Sequence, residues 1–174
     1  MFDEQSAKKN IRDIVDYPKK GIVFRDITTL IKDKDSFKMC IDEMALRAAG
    51  KNIDYIVGIE ARGFVTGSAL AYKIGKGFIP IRKKGKLPHK TISADYALEY
   101  GNATIEIHED AFEKGSNILI TDDLLATGGT AKAAAQLVEQ LGGKVVAIAF
   151  FVELLDLKGI EKLSNYDVIS LIKY

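Results

Sequence analysis

Short, unbroken apolar runs separated by stretches of helical spacing constrain this chain more than any other feature. The runs are Tyr55-Ile56-Val57-Gly58-Ile59, Phe78-Ile79-Pro80-Ile81, Asn117-Ile118-Leu119-Ile120-Thr121, Lys144 to Val152 and Val168 to Ile172. Helical spacing follows the first from Phe64 to Ile74 and the third from Thr130 to Leu141, closed by Gly142-Gly143. A strand that is apolar on both sides of its pleat is covered on both faces, so the pattern predicts an α/β fold. Its sheet is mainly parallel and flanked by helices. In such sheets the ligand lies beyond the carboxyl ends of the strands. The loops after Ile59, Ile81, Thr121 and Val152 are therefore the candidate functional loops.

Upstream, Phe37, Cys40, Ile41, Met44, Ala45 and Ala48 recur at helical spacing, with Ser36 as the expected N-cap and Gly50 as the stop. Cys40 lies on that apolar stripe and reads as a small buried hydrophobe. With 174 residues the chain fits one domain, 1–174, and folding hides roughly 70% of the unfolded surface. A charge balance of 25 basic against 24 acidic residues argues against bulk nucleic acid or an anionic membrane as the main partner. One cysteine excludes an intrachain disulfide, and with two histidines it does not make an ordinary structural zinc site. Met1 to Asn10 is charged and has no apolar signal-peptide core, and no run approaches the ~20 apolar residues of a membrane span. The expectation is a cytoplasmic enzyme or small-ligand binder.

One segment breaks the rhythm. Residues 83–109 open with Arg82-Lys83-Lys84-Gly85-Lys86 and show neither a helix nor a buried-strand pattern. Two β-like pieces, Tyr96 to Tyr100 and Ala103 to Ile107, flank Gly101-Asn102. Ordinary connections in α/β units run to roughly 2–6 residues, so an insertion of this length reads as a flexible lid or binding loop.

The chemistry concentrates in Ile118-Leu119-Ile120-Thr121-Asp122-Asp123-Leu124-Leu125-Ala126-Thr127-Gly128-Gly129-Thr130. Gly128 and Gly129 permit close backbone approach, so successive N–H groups can converge on an anion. The following helix adds its positive N-terminal end, and Thr127 and Thr130 add hydroxyl donors. This is a phosphate cradle without the lysine of a Walker A loop or the first-strand glycines of a dinucleotide fold. Asp122 and Asp123 suit vicinal hydroxyls such as those of a ribose. Adjacent strand residues face opposite ways, so both reach one ligand only if the backbone bends there.

That block resembles the diphosphate-sugar motif of the type I phosphoribosyltransferases. Gly21-Ile22-Val23-Phe24-Arg25-Asp26-Ile27, Glu60-Ala61-Arg62-Gly63-Phe64, Arg82-Lys83-Lys84-Gly85-Lys86-Leu87-Pro88, Leu98-Glu99-Tyr100-Gly101 and Val152-Glu153-Leu154 are similar, in the same order, to the adenine-specific branch. The resemblance implies a reaction of adenine with 5-phosphoribosyl 1-diphosphate (PRPP) that gives AMP and pyrophosphate, with magnesium as cofactor. It also implies a cytoplasmic homodimer, a small hood over residues 1–35 and a flexible lid over 83–109.

Residue by residue, it implies that Ala126, Thr127, Gly128, Gly129 and Thr130 hold the 5′-phosphate and that Asp122 and Asp123 hold the ribose hydroxyls. Glu60, Ala61, Arg62, Lys83 and Lys86 would face the pyrophosphate, with the Glu60–Ala61 peptide cis as is typical of the family. Phe24 and Leu154 would sandwich the base, while backbone groups of Val23 and Arg25 read its edge. Glu99 would be the acid/base at the base ring and Arg62 the catalytic cation, with magnesium held mainly by substrate oxygens and water rather than by direct protein ligands. Read alone, Phe24 and Leu154 are core residues and the lysine run a solvated face. His89 and His108 receive no role. Two other readings stay open: a PRPP- or nucleotide-sensing regulator on the same fold, and a transferase for another nucleobase. Alanine at 126, where an acid handles the base proton in 6-oxopurine enzymes, speaks against the latter.

Overall fold

The first 35 residues hold more regular structure than their pattern announces. They form helix α1 (Glu4–Lys9), an antiparallel pair of strands, β1 (Arg12–Val15) and β2 (Val23–Asp26), and a short helix α2 (Thr28–Lys32). The pair is fastened by Asp26, whose Oδ2 accepts from Arg12 Nε at 3.1 Å and Nη2 at 2.5 Å, while Oδ1 accepts the Thr28 N–H at 3.0 Å. β1 is mostly exposed, so it carries none of the apolar alternation that would have marked it.

Helix α3 (Lys34–Ala48) buries Cys40, Ile41, Met44 and Ala48 as its spacing predicts. Its N-cap is Asp33 rather than Ser36: the Asp33 carboxylate accepts the Ser36 N–H at 2.8 Å. Ser36 instead receives the Asn10 side-chain amide at 2.5 Å, which ties the helix to the N-terminal segment. Burial pushes the Cys40 thiol up to about 12, consistent with an inert core residue.

The computed structural model, which describes residues 2–97 and 102–174 (of Ala97 the backbone alone), then shows the expected alternation. Strand β3 (Tyr55–Ile59), helix α4 (Arg62–Ile74) and strand β4 (Gly77–Lys83) are followed by β5 (Thr91–Ala97) and β6 (Asn102–His108). After them come β7 (Asn117–Leu125), α5 (Gly129–Gln140), β8 (Lys144–Glu153), two short 3-10 turns (Leu155–Leu157 and Gly159–Leu163) and β9 (Val168–Lys173). The seven-stranded sheet runs β5-β6-β4-β3-β7-β8-β9. Its pairings from β4 to β9 are parallel, and the β5–β6 hairpin adds antiparallel at the β4 edge.

One core, with Leu30, Met44, Leu70, Leu119 and Phe151, lies beneath α3, α4 and the N-terminal elements. The other, with Ile120, Leu137, Phe150 and Leu163, lies beneath α5 and the 3-10 turns. β3, the first strand of the seven-stranded sheet in chain order, has β4 on one side and β7 on the other, so the strand order reverses beside it. A crevice opens at such a point beyond the carboxyl ends of the strands. No helix among the described residues is long and apolar enough to cross a membrane.

Two expectations need correction. The 83–109 segment does contain a strand with buried residues: Ile105 and Ile107 of β6 sit in the second core, because β6 pairs with β4 rather than hanging free. The first piece of its hairpin starts at Thr91 rather than Tyr96, and Leu98 to Gly101 lie outside the described residues.

Candidate active site

Small residues let α4 settle at the mouth of the crevice. A Cβ on Gly63 would stand 2.9 Å from the Thr121 carbonyl oxygen and 3.0 Å from Asp122 Oδ1, so only glycine allows the first turn of α4 this close to β7. Arg62, the residue before it, is carried onto the end of the sheet. Its Nε donates to Asp123 Oδ2 at 2.5 Å, and its guanidinium lies 5.7 Å from the centre of the Phe24 ring. The preceding Glu60–Ala61 peptide is cis.

The acidic pair sits where the side-chain alternation of β7 shifts, as a bend there requires: Leu119 and Leu124 pack on the first core, Ile120 and Leu125 on the second. β7 continues as strand through Leu125, four residues beyond its last pairing with β3 at Thr121. Past that point β3 no longer pairs with its edge. Asp122 and Asp123 consequently line one cavity of about 430 Å³ together with Glu60, Ala61, Arg62, Lys83, Lys86, Tyr96 and Thr130. Burial and the neighbouring Asp123 carboxylate push the Asp122 carboxyl well above the ordinary range.

On the other side of Asp122 is a smaller cavity of about 70 Å³, lined by Leu124 through Ala131 and by Phe150. This is the cradle expected from the sequence: Gly128 has a φ of 76°, and no side chain caps α5 there, so the helix offers its N-terminal amides to the cavity. Behind the loop stands Gly159. A Cβ there would be 2.1 Å from the Ala126 carbonyl oxygen, and one on Gly128 would be 2.4 Å from the Gly159 carbonyl oxygen. The two backbones are packed against each other without side chains between them.

Glu60 organises the cationic wall. Its carboxylate accepts from Lys86 Nζ at 2.9 Å, from Arg82 at 3.3 Å through both Nε and Nη2, and from the Lys83 N–H at 3.1 Å. Burial works to raise this carboxyl, but the Lys86 and Arg82 hydrogen bonds outweigh it and hold the group at about 2. Glu106 of β6, itself buried, accepts the Lys86 and Leu87 N–H groups at 3.1 Å and so shapes the turn that carries Lys86.

The structure thus brings together Asp122, Asp123, Glu60, Ala61, Arg62, Lys83, Lys86 and Thr130, and beside them Ala126 to Gly129. Val23, Phe24, Arg25 and Leu154 do not line either cavity. Phe24 reaches the site through Arg62, Arg25 is paired with Asp13 at 2.5 Å, and Leu154 packs on the first core. Glu99 lies outside the described residues. Sequence reasoning missed Tyr96, Glu106 and Gly159. Glu106 was visible as a lone acid between two apolar strand residues, and Gly159 as a glycine with no turn motif around it.

The chain matches the model of the phosphoribosyl transferase domain over residues 29–172. It is 59% identical over 167 residues to the adenine phosphoribosyltransferase of Brachyspira hyodysenteriae, covering 96% of this chain and 98% of that one. Among solved structures it superposes on adenine phosphoribosyltransferase from Thermoanaerobacter pseudethanolicus with a TM-score of 0.96, at 51% identity over 99% of this chain and 100% of the other. The Saccharomyces cerevisiae enzyme, solved with an imino-altritol bisphosphate and adenine, gives 0.91 at 40% identity, over 97% of this chain and 98% of that one.

Proposed function

The chain belongs to the phosphoribosyl transferase family, and we propose that it transfers the 5-phosphoribosyl group of PRPP to adenine, giving AMP and pyrophosphate in purine salvage. One observation carries this reading: the acidic pair and the hydroxyl–glycine cradle share a crevice with Arg62, Lys83 and Lys86, as a sugar with a phosphate at one end and a diphosphate at the other requires. The Ala126–Thr130 loop holds the 5′-phosphate and Asp122 and Asp123 take the ribose hydroxyls. As the bond from the anomeric carbon to pyrophosphate breaks, positive charge grows on the ribose and negative charge on the leaving group. Arg62, Lys83 and Lys86, with the backbone of Glu60 and Ala61, stabilise the departing anion. Adenine N9 then bonds to the anomeric carbon through its lone pair, while the ring proton on N7 passes to the carboxylate of Glu99.

Phe24 and Leu154 sandwich the base, and backbone groups of Val23 and Arg25 read its edge. Glu99 follows β5, whose Tyr96 lines the crevice, and acts as the acid/base at adenine N7. Single-turnover AMP formation by Glu99→Leu at saturating substrates should fall by about 10²–10⁴-fold; a rate close to wild type overturns that role. Residues 1–35 serve as a hood and 83–109 as a lid that excludes water, which would otherwise hydrolyse PRPP.

Magnesium fits this site. Among the described residues no three His, Cys, Asp or Glu side chains converge on one point, but Asp122 and Asp123 present adjacent carboxylates to the crevice. That suits an ion that keeps most of its shell as water and substrate oxygen. When bound, it would neutralise charge building on the diphosphate. A cytoplasmic setting suits a chain whose one cysteine is buried and unpaired. A homodimer is the assembly we expect, since Val65 and Tyr72 of α4 leave apolar surface in solvent, Tyr72 at 91% exposure, for a second copy to cover.

The deciding experiment supplies PRPP and magnesium with adenine, hypoxanthine or guanine and measures pyrophosphate and nucleotide. Adenine offers an acceptor at N1 and a donor at its amine, and a 6-oxopurine reverses both, so adenine should lead by several orders of magnitude in kcat/KM. Equal turnover of hypoxanthine overturns the adenine assignment, and no pyrophosphate from any base overturns the transfer.

A further inference from the structure

Glu106 lies between Ile105 and Ile107 of β6, is 5% exposed, and binds the turn between β4 and β5. Its Oε1 accepts the N–H groups of Lys86 and Leu87, both at 3.1 Å, and its Oε2 accepts the Thr91 hydroxyl at 3.4 Å. Burial works to raise this carboxyl, but the amides of Leu87, Gly85 and Lys86 outweigh it and hold the group below the ordinary carboxylate range. Gly85 has a φ of 81°, a left-handed conformation beside which successive amides can converge on one anion. The turn is a backbone nest for an anion, and the protein fills it with a carboxylate of its own.

The rest of Lys86 is held as well. Its carbonyl oxygen accepts from Arg82 Nη1 at 2.9 Å, and Arg82 is the cross-strand partner of Glu106. Its ammonium rests on Glu60 Oε1 at 2.9 Å, and Lys86 and Glu60 line the same crevice. Amide, carbonyl and ammonium thus have three separate holders. Glu106 and Arg82 grip the peptide, whereas an anion entering the crevice competes with Glu60 for the ammonium. Lysine is a compact charge on a flexible four-carbon stem, so the place of its backbone decides which anions it reaches.

Resting on the transfer reading, we propose that Glu106 is a positioning residue for the diphosphate of PRPP: it fixes the peptide about which the Lys86 ammonium swings from Glu60 to the diphosphate. It touches no substrate itself. Its effect is selective for what the ligand carries. PRPP and AMP share the ribose and the 5′-phosphate, and only PRPP has the diphosphate that Lys86 meets.

The test titrates PRPP and AMP, each with magnesium, into ligand-free wild type, Glu106→Gln and Glu106→Leu. Glutamine keeps the shape and one acceptor oxygen but gives up the charge, and leucine fills the space and accepts nothing. PRPP affinity should fall at least about threefold in Glu106→Gln and further in Glu106→Leu, while AMP affinity stays within about twofold of wild type. AMP affinity that falls as far as PRPP affinity makes the residue structural and overturns the inference. A loss of PRPP affinity below about threefold in Glu106→Gln overturns it too, and that variant decides alone if Glu106→Leu does not fold. Because Glu106 acts through Lys86, Glu106→Gln in a Lys86→Met background should cost less than about twofold in PRPP affinity, and an undiminished loss there overturns the positioning role. Wild type that binds neither ligand is a different result, since it defeats the transfer reading itself.

Discussion

Two adjacent carboxylates on β7 live in different environments, and the difference is measurable. Asp123 is paired with Arg62, while Asp122 is held above the ordinary range by burial and by Asp123. A carboxyl that protonates more readily in the folded chain than in the unfolded one favours folding below about pH 4 and loses that contribution as pH rises through its folded value. Asp122→Asn should therefore melt at or above wild type at pH 7, with a flatter stability profile above pH 4 by urea unfolding. The same variant should lose about 10–100-fold in kcat/KM for PRPP, the worth of one charge-assisted hydrogen bond. A variant that melts far below wild type would mean the residue is structural. The pair was legible because two acids before a hydroxyl–glycine loop is a local pattern. Glu106 stood out only as a lone acid between Ile105 and Ile107, and its role was not legible, since its partners, the Lys86 and Leu87 amides, are brought to it only by the β4–β6 pairing.

At the scale of elements, the phosphate loop depends on a neighbour that is remote in sequence. Gly159→Ala would drive a methyl into the Ala126 carbonyl, so the loop must shift. Its KM for PRPP should rise by at least about tenfold, with destabilisation of about 1–3 kcal/mol in the same protein; unchanged kinetics would show the loop to be independent of the 3-10 turn. The N-terminal strand pair rests on Asp26, held at about 2 by the Arg12 and Thr28 hydrogen bonds. A depressed carboxyl stabilises the fold above about pH 4 and loses that effect as pH falls through 2. Asp26→Asn should cost about 1–2 kcal/mol at pH 7 and almost nothing at pH 2 in chemical unfolding. These elements escaped the sequence reading because β1 and β2 are short and solvated, and only pairing defines them. β3 and β7 gave themselves away through unbroken apolar runs, and α3, α4 and α5 through helical periodicity.

Across the whole molecule, the α/β class and parallel sheet followed from unbroken apolar runs, whereas the position of the β5–β6 hairpin on the β4 edge did not, because nothing local encodes an edge. The complete crevice shows one more property of the free protein. Most of its cations are already occupied: Arg62 by Asp123, and Lys86 and Arg82 by Glu60, which holds Lys83 through its backbone N–H. Ligand entry is thus an exchange of partners rather than the filling of a bare positive pocket. Salt weakens the resident pairs and their replacements alike, so KM for PRPP should change by less than about threefold over ordinary ionic strengths. A steep salt dependence in steady-state kinetics would contradict this. Inorganic phosphate, with one anionic centre, gains little by opening a single pair, so the abundant small anions of a cell are poor competitors. A molecule anionic at both ends can draw on both sets of cations at once, which makes the closed ion pairs of the empty crevice a filter for divalent reach.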